Sequence, residues 1–389
     1  MSARHSARCS EEFRRVFGDP AEVVARAPGR VNLIGDHVDY AGGPVMPIAI
    51  GLETLVAVSR SLTDESSIRS VQLDRTFRCE LRGTVPPLGR GSGDFFANYV
   101  TGPIQQLRAD GIEVPEMNVL ISSTIPMGGG LSSSAALEVG VVLAVRTLLG
   151  EQTGPLEMAI EAREAEHAYA GTPCGIMDVL VSAAAREDHA CLIDCRTNLI
   201  RHVRMPSETE CLVLVTDTET RHELNDGAYA DRLADCRTAA AACRREFLAD
   251  VPTELLEGAV LPERIARRAR HVVGEAERVR MFAKALEIGD LEGAGQRMFE
   301  SHDSLVHLHE VSCPELDLLV EAARDMRGSG VLGSRMTGGG FGGCTVTMCR
   351  PGCIEDLTRT LDGAFRDSFR RSPVFRVVRA SGGASIIRS

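Results

Sequence analysis

Ionisable side chains crowd together in the segment RAPGRVNLIGDHVDY. Within ten residues, beside the apolar run VNLIG, stand Arg30, Asp36, His37 and Asp39. Carboxylates accept hydrogen bonds and arginine donates them, so this mixture could satisfy a ligand rich in hydroxyl groups. The solvated edge of a strand would carry a similar mixture, and the residues alone favour neither interpretation.

A second segment, PMGGGLSSSAALEV, places glycines and serines at the start of a helical pattern. Glycine lets main-chain N–H groups approach a ligand without Cβ clashes, and the free amides and dipole of a helix N-terminus attract anions. We expect the serine hydroxyls to accept from free N–H groups at the N-cap and first turn. The segment predicts a polyphosphate site, and a capped helix after a glycine turn is the alternative. Its residues are Gly128, Gly129, Gly130, Leu131, Ser132, Ser133 and Ser134.

Lysine is almost absent from the chain, which has 43 basic residues of which Lys284 alone is a lysine. A Walker A loop needs a Gly-Lys pair, and a protein kinase needs a strand lysine to hold phosphates. Lys284 lies inside a helical pattern and fits neither role. If the chain binds a nucleotide, a group other than lysine must hold its phosphates.

Another glycine cluster, in GSRMTGGGFGGCTVTMC, has the spacing of a dinucleotide-binding fingerprint at Gly338, Gly340 and Gly343. That fingerprint requires a helix after the glycines, whereas CTVTMC alternates like a strand. We therefore predict a glycine-rich turn between two strands that packs close to a ligand or to another backbone. A tight hairpin without a ligand is the alternative.

Two acidic residues lie on either side of a predicted turn. Glu166 is near the end of a helix that Pro155 opens and Gly171 closes, and Asp178 follows a Pro-Cys-Gly turn. Solvated surface acids are the simpler interpretation of these two residues.

The composition narrows the class of protein. The 389 residues, 44% of them hydrophobic, can bury a core large enough for two domains. A net charge of -11 disfavours nucleic acid and anionic membranes as partners. The charged N-terminus and the lack of a long apolar stretch predict no signal peptide and no membrane helix. Twelve cysteines without a CxxC pair indicate reduced thiols and a cytoplasmic location.

Hydrophobic periodicity predicts strands and helices along the whole chain. NVLISS has a strand pattern, and SSSAALEVGVVLAVRTLLG predicts a buried helix of about 18 residues. In the second half, ALEIGDLEGAGQRMFESHDSL and PELDLLVEAARDM have helical patterns, while ETECLVLVTDT and VFRVVRAS have strand patterns. This mixture indicates an α+β protein with a boundary near Cys211 and a site in the cleft between its halves.

The motifs, in this order, resemble the galactokinase branch of the GHMP kinases, a superfamily that also contains homoserine, mevalonate and phosphomevalonate kinases. The resemblance is carried by GRVNLIGDHVDY, PMGGGLSSSAALEV, AGTPCGIMD and RMTGGGFGGCTV, with further agreement in FANYVTG and ESHDSLVHLHEVSCPELD. It covers nearly the whole chain. It implies the two-domain GHMP kinase fold, with residues 1–205 similar to ribosomal protein S5 domain 2 and residues 206–389 forming a ferredoxin-like domain.

The resemblance also implies an activity, the ATP- and Mg²⁺-dependent phosphorylation of the anomeric C1 hydroxyl of galactose or a galacto-configured sugar. Asp178 matches the acid that accepts the proton of that hydroxyl, and Arg30 matches the arginine beside it. Whether the acid removes the proton fully or mainly orients the hydroxyl is open. Ser134 and Glu166 match the positions that hold Mg²⁺ through hard oxygen ligands.

The remaining family positions divide between sugar and nucleotide. Sugar-contacting positions are matched by Asp36, His37, Asp39, Gly175 and Tyr229. ATP-binding positions are matched by Phe96, Gly128, Gly129, Gly130, Leu131, Ser132, Ser133, Ser134, Gly339 and Gly340. The expected partners are a small sugar and ATP, and a monomer or a homodimer fits the sequence equally well.

Departures from the family pattern fall mainly on the sugar side. Aspartate stands at position 36 where the family has glutamate, and the family's usual residues also differ at Val38, Ala41, Val179 and Phe96. In the family that glutamate approaches the C6 hydroxyl, and aspartate retracts the carboxylate by about 1.5 Å. One hypothesis is a sugar extended or substituted at C6, as in the pathways of antibiotic-producing bacteria. An octose 8-phosphate that yields the 1,8-bisphosphate is an example, and neutral drift is the alternative.

Two rival functions come from other classes. Some galactokinase-like proteins bind sugar and ATP as sensors without catalysis, but those lack residues of the glycine-serine loop that are intact here. A kinase for a small alcohol such as mevalonate would not need the hydroxyl-binding array around Asp36 and Tyr229.

Overall fold

The computed structural model describes residues 2–172, 174–220 and 225–387. A six-stranded sheet dominates the first half, in the order β13-β1-β3-β6-β4-β5, with β4 parallel to β6 and the other neighbours antiparallel. Its strands are β1 (Val23–Asn32), β3 (Pro47–Arg60), β4 (Ser66–Ser70), β5 (Arg75–Cys79), β6 (Met117–Ser123) and β13 (Ser385–Ile386). A smaller antiparallel sheet contains β2 (Pro44–Val45), β7 (His189–Asp194) and β8 (Leu199–Arg204).

Five helices accompany these sheets. They are α1 (Ser2–Phe17), α2 (Asn98–Ala109), α3 (Ser133–Leu148), α4 (Pro155–Ala165) and α5 (Met177–Ala184). Helix α3 is the predicted buried helix, and it has 16 residues where about 18 were expected. It packs against β1 and β3 on one side and against α2, α4 and α5 on the others, which explains a sequence that is hydrophobic on almost every side.

Strand β1 carries an irregularity that serves the site. The pairing of β1 with β3 shifts register between Pro28 and Arg30. Proline has no N–H for the ladder, and a bulge redirects the side chains that follow it. The N–H of Arg30 consequently donates to the carbonyl of Leu131, 3.1 Å away in the glycine-serine segment.

The second half contains a four-stranded antiparallel sheet in the order β10-β11-β9-β12. Its strands are β9 (Leu212–Asp217), β10 (Val331–Thr337), β11 (Cys344–Cys349) and β12 (Val374–Val378). The helices are α6 (Asn225–Ala242), α7 (Thr253–Glu257), α8 (Glu263–Glu287), α9 (Leu291–Ser304), α10 (Pro314–Asp325) and α11 (Ile354–Phe369). Strand β9, the helices up to α10, β10, β11, α11 and β12 follow one another in a β-α-β-β-α-β order, which is the predicted ferredoxin-like arrangement.

The α+β prediction is confirmed, although some boundaries were wrong. The run ALEIGDLEGAGQRMFESHDSL was expected to form one helix, but α8 ends at Glu287 and α9 begins at Leu291, because Gly289 between them has a φ of 77°. The predicted turn between strands is confirmed, since β10 and β11 form a hairpin around the glycines. The domain boundary at 205/206 stays a prediction.

The two halves share apolar packing. One continuous core cluster joins Leu33 and Val38 from the first half with Val272, Val279 and Phe282 from α8. The last described strand, β13, also returns to pair with β1. A cleft between the halves is therefore lined by segments that are anchored in a common core.

All twelve cysteines lie in the described ranges, and none of them forms a disulfide. Within the described ranges no helix is both long enough and apolar enough to cross a membrane.

Close packing of α9 on β10 gives a prediction about stability. A Cβ at Gly295 would collide with the carbonyl of Leu332, a backbone atom that cannot move without disturbing the sheet. We expect Gly295→Ala to lower the free energy of unfolding by more than about 2 kcal/mol, measured by urea denaturation. The control is Gly363→Ala in α11, where the space is open. That variant should gain up to about 1 kcal/mol from helix propensity, and equal effects at both sites would contradict the packing argument.

Candidate active site

An ion pair between Arg30 and Asp178 lies at the centre of the cleft. Asp178 is in the first turn of α5, and Arg30 follows the irregularity in β1. Arg30 grips both carboxylate oxygens, with Nε 2.8 Å from Oδ1 and Nη2 2.7 Å from Oδ2. Its Nη1 donates to the carbonyl of Gly130, 2.6 Å away. The Asp178 side chain is 29% exposed and that of Arg30 only 6%, so the arginine supports an acid that faces the open cleft.

Ser132 does not cap α3 as predicted. It has the left-handed conformation, with a φ of 59° and a ψ of 50°, and its hydroxyl accepts no hydrogen bond from the helix. Its Oγ instead donates to Oδ2 of Asp178 at 2.5 Å. The predicted cap was wrong because a long-range partner, 46 residues away, competes for the hydroxyl.

Two glycine-rich segments face each other across the cleft. Gly128 and Gly130 have φ angles of 68° and 70°, which residues with a Cβ rarely adopt. From the opposite side, the Cys344 thiol donates to the carbonyl of Gly129 at 3.0 Å. A Cβ placed on Gly338 would lie 3.2 Å from the Gly130 carbonyl, so the backbones almost touch. The structure thus brings together the two glycine clusters found in the sequence.

A cavity of about 140 Å³, which we call the inner pocket, opens beside Asp178. It is lined by Arg30, Asp36, His37, Asp39, Thr172, Cys174, Gly175, Met177, Asp178, Gly338 and Gly339. Carboxylates and main-chain groups dominate this lining, a surface that suits a ligand with several hydroxyl groups. The signature segment, the acid of α5 and the second glycine cluster thus meet around one small cavity.

Asp39 lies against the backbone of Gly175. A Cβ at position 175 would collide with Oδ2 of Asp39, so this approach requires glycine. Burial first, and then the charge of Asp178, raise the pKa of Asp39 from its ordinary value of 3.8 to about 7. Asp39 consequently changes charge near neutral pH.

His37 is held by protein atoms at both ring nitrogens. Its Nε2 donates to the carbonyl of Gly339 and its Nδ1 bonds the Tyr40 hydroxyl, each at 3.1 Å. Burial, reinforced by the neighbouring His271, lowers the pKa of His37 to about 3, so the ring is neutral. A carbonyl can only accept, which places the ring hydrogen on Nε2.

Asp36 is almost fully buried, with 2% of its surface exposed. Its Oδ1 accepts from Nδ2 of Asn32 at 3.1 Å and from the N–H of Gly338 at 3.3 Å. Its Oδ2 lies 2.7 Å from Nη1 of Arg335, a fully buried residue of β10. Burial raises the pKa of Asp36 against the opposing charge of Arg335. Arg335 could not be recognised from the sequence, because its partner is 299 positions away in the chain.

A buried acidic pair lies on the other side of Asp178. Glu166 begins a π-helical turn after α4, and its Oε2 accepts from the Cys174 thiol at 3.1 Å. Burial raises the pKa of Glu166, while the thiol and the nearby Ser134 hydroxyl favour its charged form. Glu138, on α3, is 1% exposed and lies close enough to Glu166 to be affected by its charge. Burial, and then the charge of Glu166, raise the pKa of Glu138 well above its usual range. Sequence reasoning missed Glu138, since an acid inside an apolar helix gives no local signal of its partner.

Ser134 and Glu166 supply hard oxygen atoms of the kind that hold Mg²⁺. Within the described ranges, no group of three or more His, Cys, Asp or Glu residues is arranged to hold a metal ion. A magnesium ion at these two residues would thus need further oxygen ligands from phosphate or water.

Three predicted site residues lie at the periphery or outside the description. Phe96 belongs to a 3-10 turn, Phe95–Ala97, and is half-buried against the core between α2, α3 and the first sheet. Gly340 approaches the carbonyl of Val311 in the second half. Tyr229 belongs to helix α6, but its side chain lies outside the described part of the structure.

Comparison with known proteins shows the family of the chain. The model of the galactokinase galactose-binding signature matches residues 11–60. The models of the N-terminal and C-terminal domains of GHMP kinases match residues 98–186 and 282–365. The galactokinase of Canis lupus familiaris is 39% identical over 380 residues, covering 96% of this chain and 95% of the relative. The chain belongs to the galactokinase family of the GHMP kinases.

Other family members agree. The galactokinase of Streptomyces coelicolor is 38% identical over 97% of both chains. The crystal structure of Lactococcus lactis galactokinase complexed with galactose superimposes with a TM-score of 0.90 at 28% identity, covering 97% of this chain and 99% of that one. The mevalonate kinase of Methanococcus jannaschii, at 19% identity and a TM-score of 0.66, shares the fold. The chain is accordingly an ATP-dependent sugar kinase, with ATP as its co-substrate.

The raised pKa of Asp39 predicts a pH dependence of stability. Between pH 4 and 7 the folded state keeps a proton on Asp39, whose pKa is about 7, while the unfolded state, at an ordinary 3.8, has lost it. Since the folded state binds more protons, the free energy of unfolding contributed by this group falls as pH rises through that window. We expect Asp39→Asn to remove this contribution in urea denaturation series at several pH values.

The exposed carboxyl of Asp19 provides the control for that experiment. The Asp19→Asn variant should follow the pH profile of the wild type. A constant difference between wild type and Asp39→Asn from pH 4 to pH 7 would contradict the assignment.

Proposed function

We propose that this protein transfers the γ-phosphoryl group of ATP to the anomeric C1 hydroxyl of galactose or a galacto-configured sugar, with Mg²⁺, and releases the sugar 1-phosphate. The observation that supports this most directly is the position of Asp178. It faces the inner pocket while Arg30 and Ser132 tie it to the first glycine cluster. Acceptor and phosphate donor can therefore meet at one carboxylate.

The nucleotide phosphates would bind at the segment from Gly128 to Ser134. Its left-handed glycines expose main-chain N–H groups, and α3 begins at Ser133 with its dipole directed at the same place. This arrangement attracts polyphosphate through backbone amides and needs no lysine. The chain's single lysine is exposed on α8.

Mg²⁺ fits the acidic pair beside this segment. Glu138 and Glu166 are buried against each other, and the carboxyl oxygens of Glu138 receive no hydrogen bond from a donor group of the described residues. A cation held at Glu166 would offset the repulsion between the two carboxyl groups, which together with burial raises the pKa of Glu138. Ser134 and Glu166 would hold the ion together with phosphate oxygens and water. When bound, Mg²⁺ neutralises charge on the phosphates during transfer.

Phosphoryl transfer depends mainly on positioning and charge neutralisation. Arg30 fixes the plane of the Asp178 carboxylate with two hydrogen bonds, and Ser132 adds a third. Asp178 can then accept the proton of the C1 hydroxyl or orient that hydroxyl toward the phosphorus atom. Arg30, within reach of the same place, would stabilise negative charge on the transferred group.

A second candidate is the same reaction on a sugar extended or substituted at C6, such as an octose 8-phosphate. The observation that favours it is that Asp36 is shorter than the family's glutamate and is already bonded by Asn32, Gly338 and Arg335. An aspartate committed to protein donors has less capacity to fix a C6 hydroxyl. Space near C6 would then accommodate a longer chain.

The role of Asp178 can be tested by substitution. We expect Asp178→Asn to lower kcat by about 10²- to 10⁴-fold, because the amide cannot accept the proton, while the KM for ATP changes little. Sugar-dependent ADP release measures this effect. The exposed Asp367→Asn on α11 serves as a control and should behave as wild type. Full activity in Asp178→Asn would contradict the proposed chemistry.

The choice of sugar can be tested with an acceptor panel of galactose, galactose analogues altered at C6, longer-chain sugars and their phosphates, and mevalonate. Galactose should be turned over if the first candidate holds, and ³¹P NMR should find the new phosphate on C1. Faster turnover of a C6-extended sugar would favour the second candidate. Binding of ATP and sugar without ADP release would contradict both and indicate a sensor.

A further inference from the structure

The segment that carries the signature residues is held by the opposite half of the protein. Asn32 bonds Thr337 through both its N–H and its carbonyl, each at 3.0 Å. The N–H of Gly35 donates to Oε1 of Glu275 on α8, 2.9 Å away. The carbonyl of Asp36 accepts from Nε2 of His271 at 3.1 Å. The inner pocket is thus shaped by contacts that a comparison of short motifs does not show.

Arg335 is the centre of these contacts. It is fully buried on β10, and its Nη1 bonds the carbonyl of Asn32 at 3.3 Å and lies 2.7 Å from Oδ2 of Asp36. Its Nε donates to Oγ of Ser301 at 3.1 Å, and that hydroxyl donates to Oε1 of Glu275 at 2.5 Å. A buried chain of charged and polar groups therefore runs from α8 through α9 and β10 to the inner pocket.

Asp36 connects this series of buried polar groups to the second glycine cluster. Its Oδ1 accepts from the N–H of Gly338, and both residues line the inner pocket. Gly338 also lies against Gly130 of the first glycine cluster. One carboxylate thus links the position of the acceptor pocket to the position of the loops on which the proposed nucleotide site is built.

We infer that Arg335 is a positioning residue for the reaction: by fixing Asp36, it sets the geometry of the inner pocket and so the binding and choice of the acceptor sugar. This inference rests on the proposed function, since it takes the inner pocket as the acceptor site. Arg335 itself does not line the pocket and acts through Asp36. The planar guanidinium group of Arg335 reaches Ser301, Asn32 and Asp36 together. The single ammonium group of a lysine cannot reproduce this arrangement.

The test is the Arg335→Lys variant, which keeps the charge and loses the planar guanidinium group. We expect its KM for the acceptor to rise by about tenfold to a hundredfold, as for a displacement of about 1 Å at the site, while its KM for ATP stays within about threefold. Arg350→Lys, an exposed arginine after β11, is the matched control and should keep both constants. A fall in kcat with both KM values unchanged would indicate a merely structural residue and overturn the inference.

Acceptor analogues sharpen the test. Galactose and its 2-, 3-, 4- and 6-deoxy derivatives are assayed with the wild type and with Arg335→Lys. Each deoxy sugar then gives a double-mutant cycle that measures the coupling between Arg335 and the missing hydroxyl. The rise in acceptor KM caused by Arg335→Lys should be smaller by about fivefold or more for the one analogue that lacks the hydroxyl nearest Asp36. Equal losses across the series would overturn the inference.

A double variant separates positioning from folding. Asp36→Asn with Arg335→Met removes both buried charges, so neither is left unpaired, a change that folds can tolerate. It should fold cooperatively and still show the raised KM for the acceptor. A folded double variant with the wild-type KM would overturn the inference.

A crystal structure of Arg335→Lys provides a readout that does not depend on turnover. The Asp36 carboxylate should move by about 1 Å while β10 keeps its place, and an unmoved carboxylate would overturn the inference. Wild-type activity on the acceptor panel reports separately on the proposed function. If the wild type turned over no sugar, that function would fail, and the crystal structure would still decide whether Arg335 positions Asp36.

Discussion

The fork of hydrogen bonds from Arg30 to Asp178 is the interaction on which the rest of the site depends. It joins the main sheet to helix α5, and its third donor, directed at Gly130, joins both to the first glycine cluster. An exposed ion pair contributes little free energy of folding. This arginine is buried, and its planar guanidinium group bonds both oxygens of the planar carboxylate, which fixes the geometry of the pair. The carboxylate is therefore pre-positioned before any ligand arrives, which is what transfer between two bound substrates requires.

The near-absence of lysine from the chain is consistent with this geometry. Where a Walker A loop adds a mobile ammonium group, this chain offers rigid amides at the start of α3 and an arginine already committed to the acid. The carbonyl of Gly130 accepts from Arg30, so the orientation of the glycine loop and the orientation of Asp178 are set by one side chain. In the proposed function, phosphate binding and activation of the acceptor would thus be coupled through Arg30 without a lysine.

Local patterns predicted the elements of this site but not its internal bonds. The glycine clusters, the buried helix and the hairpin follow from period and turn chemistry, which act over a few residues. The left-handed Ser132 was not foreseeable, because its conformation is selected by a hydrogen bond to Asp178. The same holds for Glu138 and Arg335: each is an ordinary charged residue in its own segment, and its meaning comes from a partner brought close by the fold. The break between α8 and α9 was missed because the pattern of apolar residues continues across it.

The buried charges around Asp36 also bear on how sugar specificity arises in this fold. A signature motif is usually taken as the sugar-binding unit, yet here its carboxylate is bonded to Arg335, and its backbone to Glu275 and His271, all from the other half. Although burial disfavours its charge, Arg278 and Arg335 lower the pKa of Glu275 to about 2, so the acid is ionised at neutral pH. A fully buried network that contains charged groups is stiff, since moving one member can leave a charge unpaired at a cost of several kcal/mol. The donors to Asp36 come from both halves of the protein. In the proposed site, aspartate in place of the family's glutamate would change the distance between this carboxylate and the sugar. Under the inference drawn for Arg335, acceptor choice would depend on how the halves are bonded together as well as on the motif.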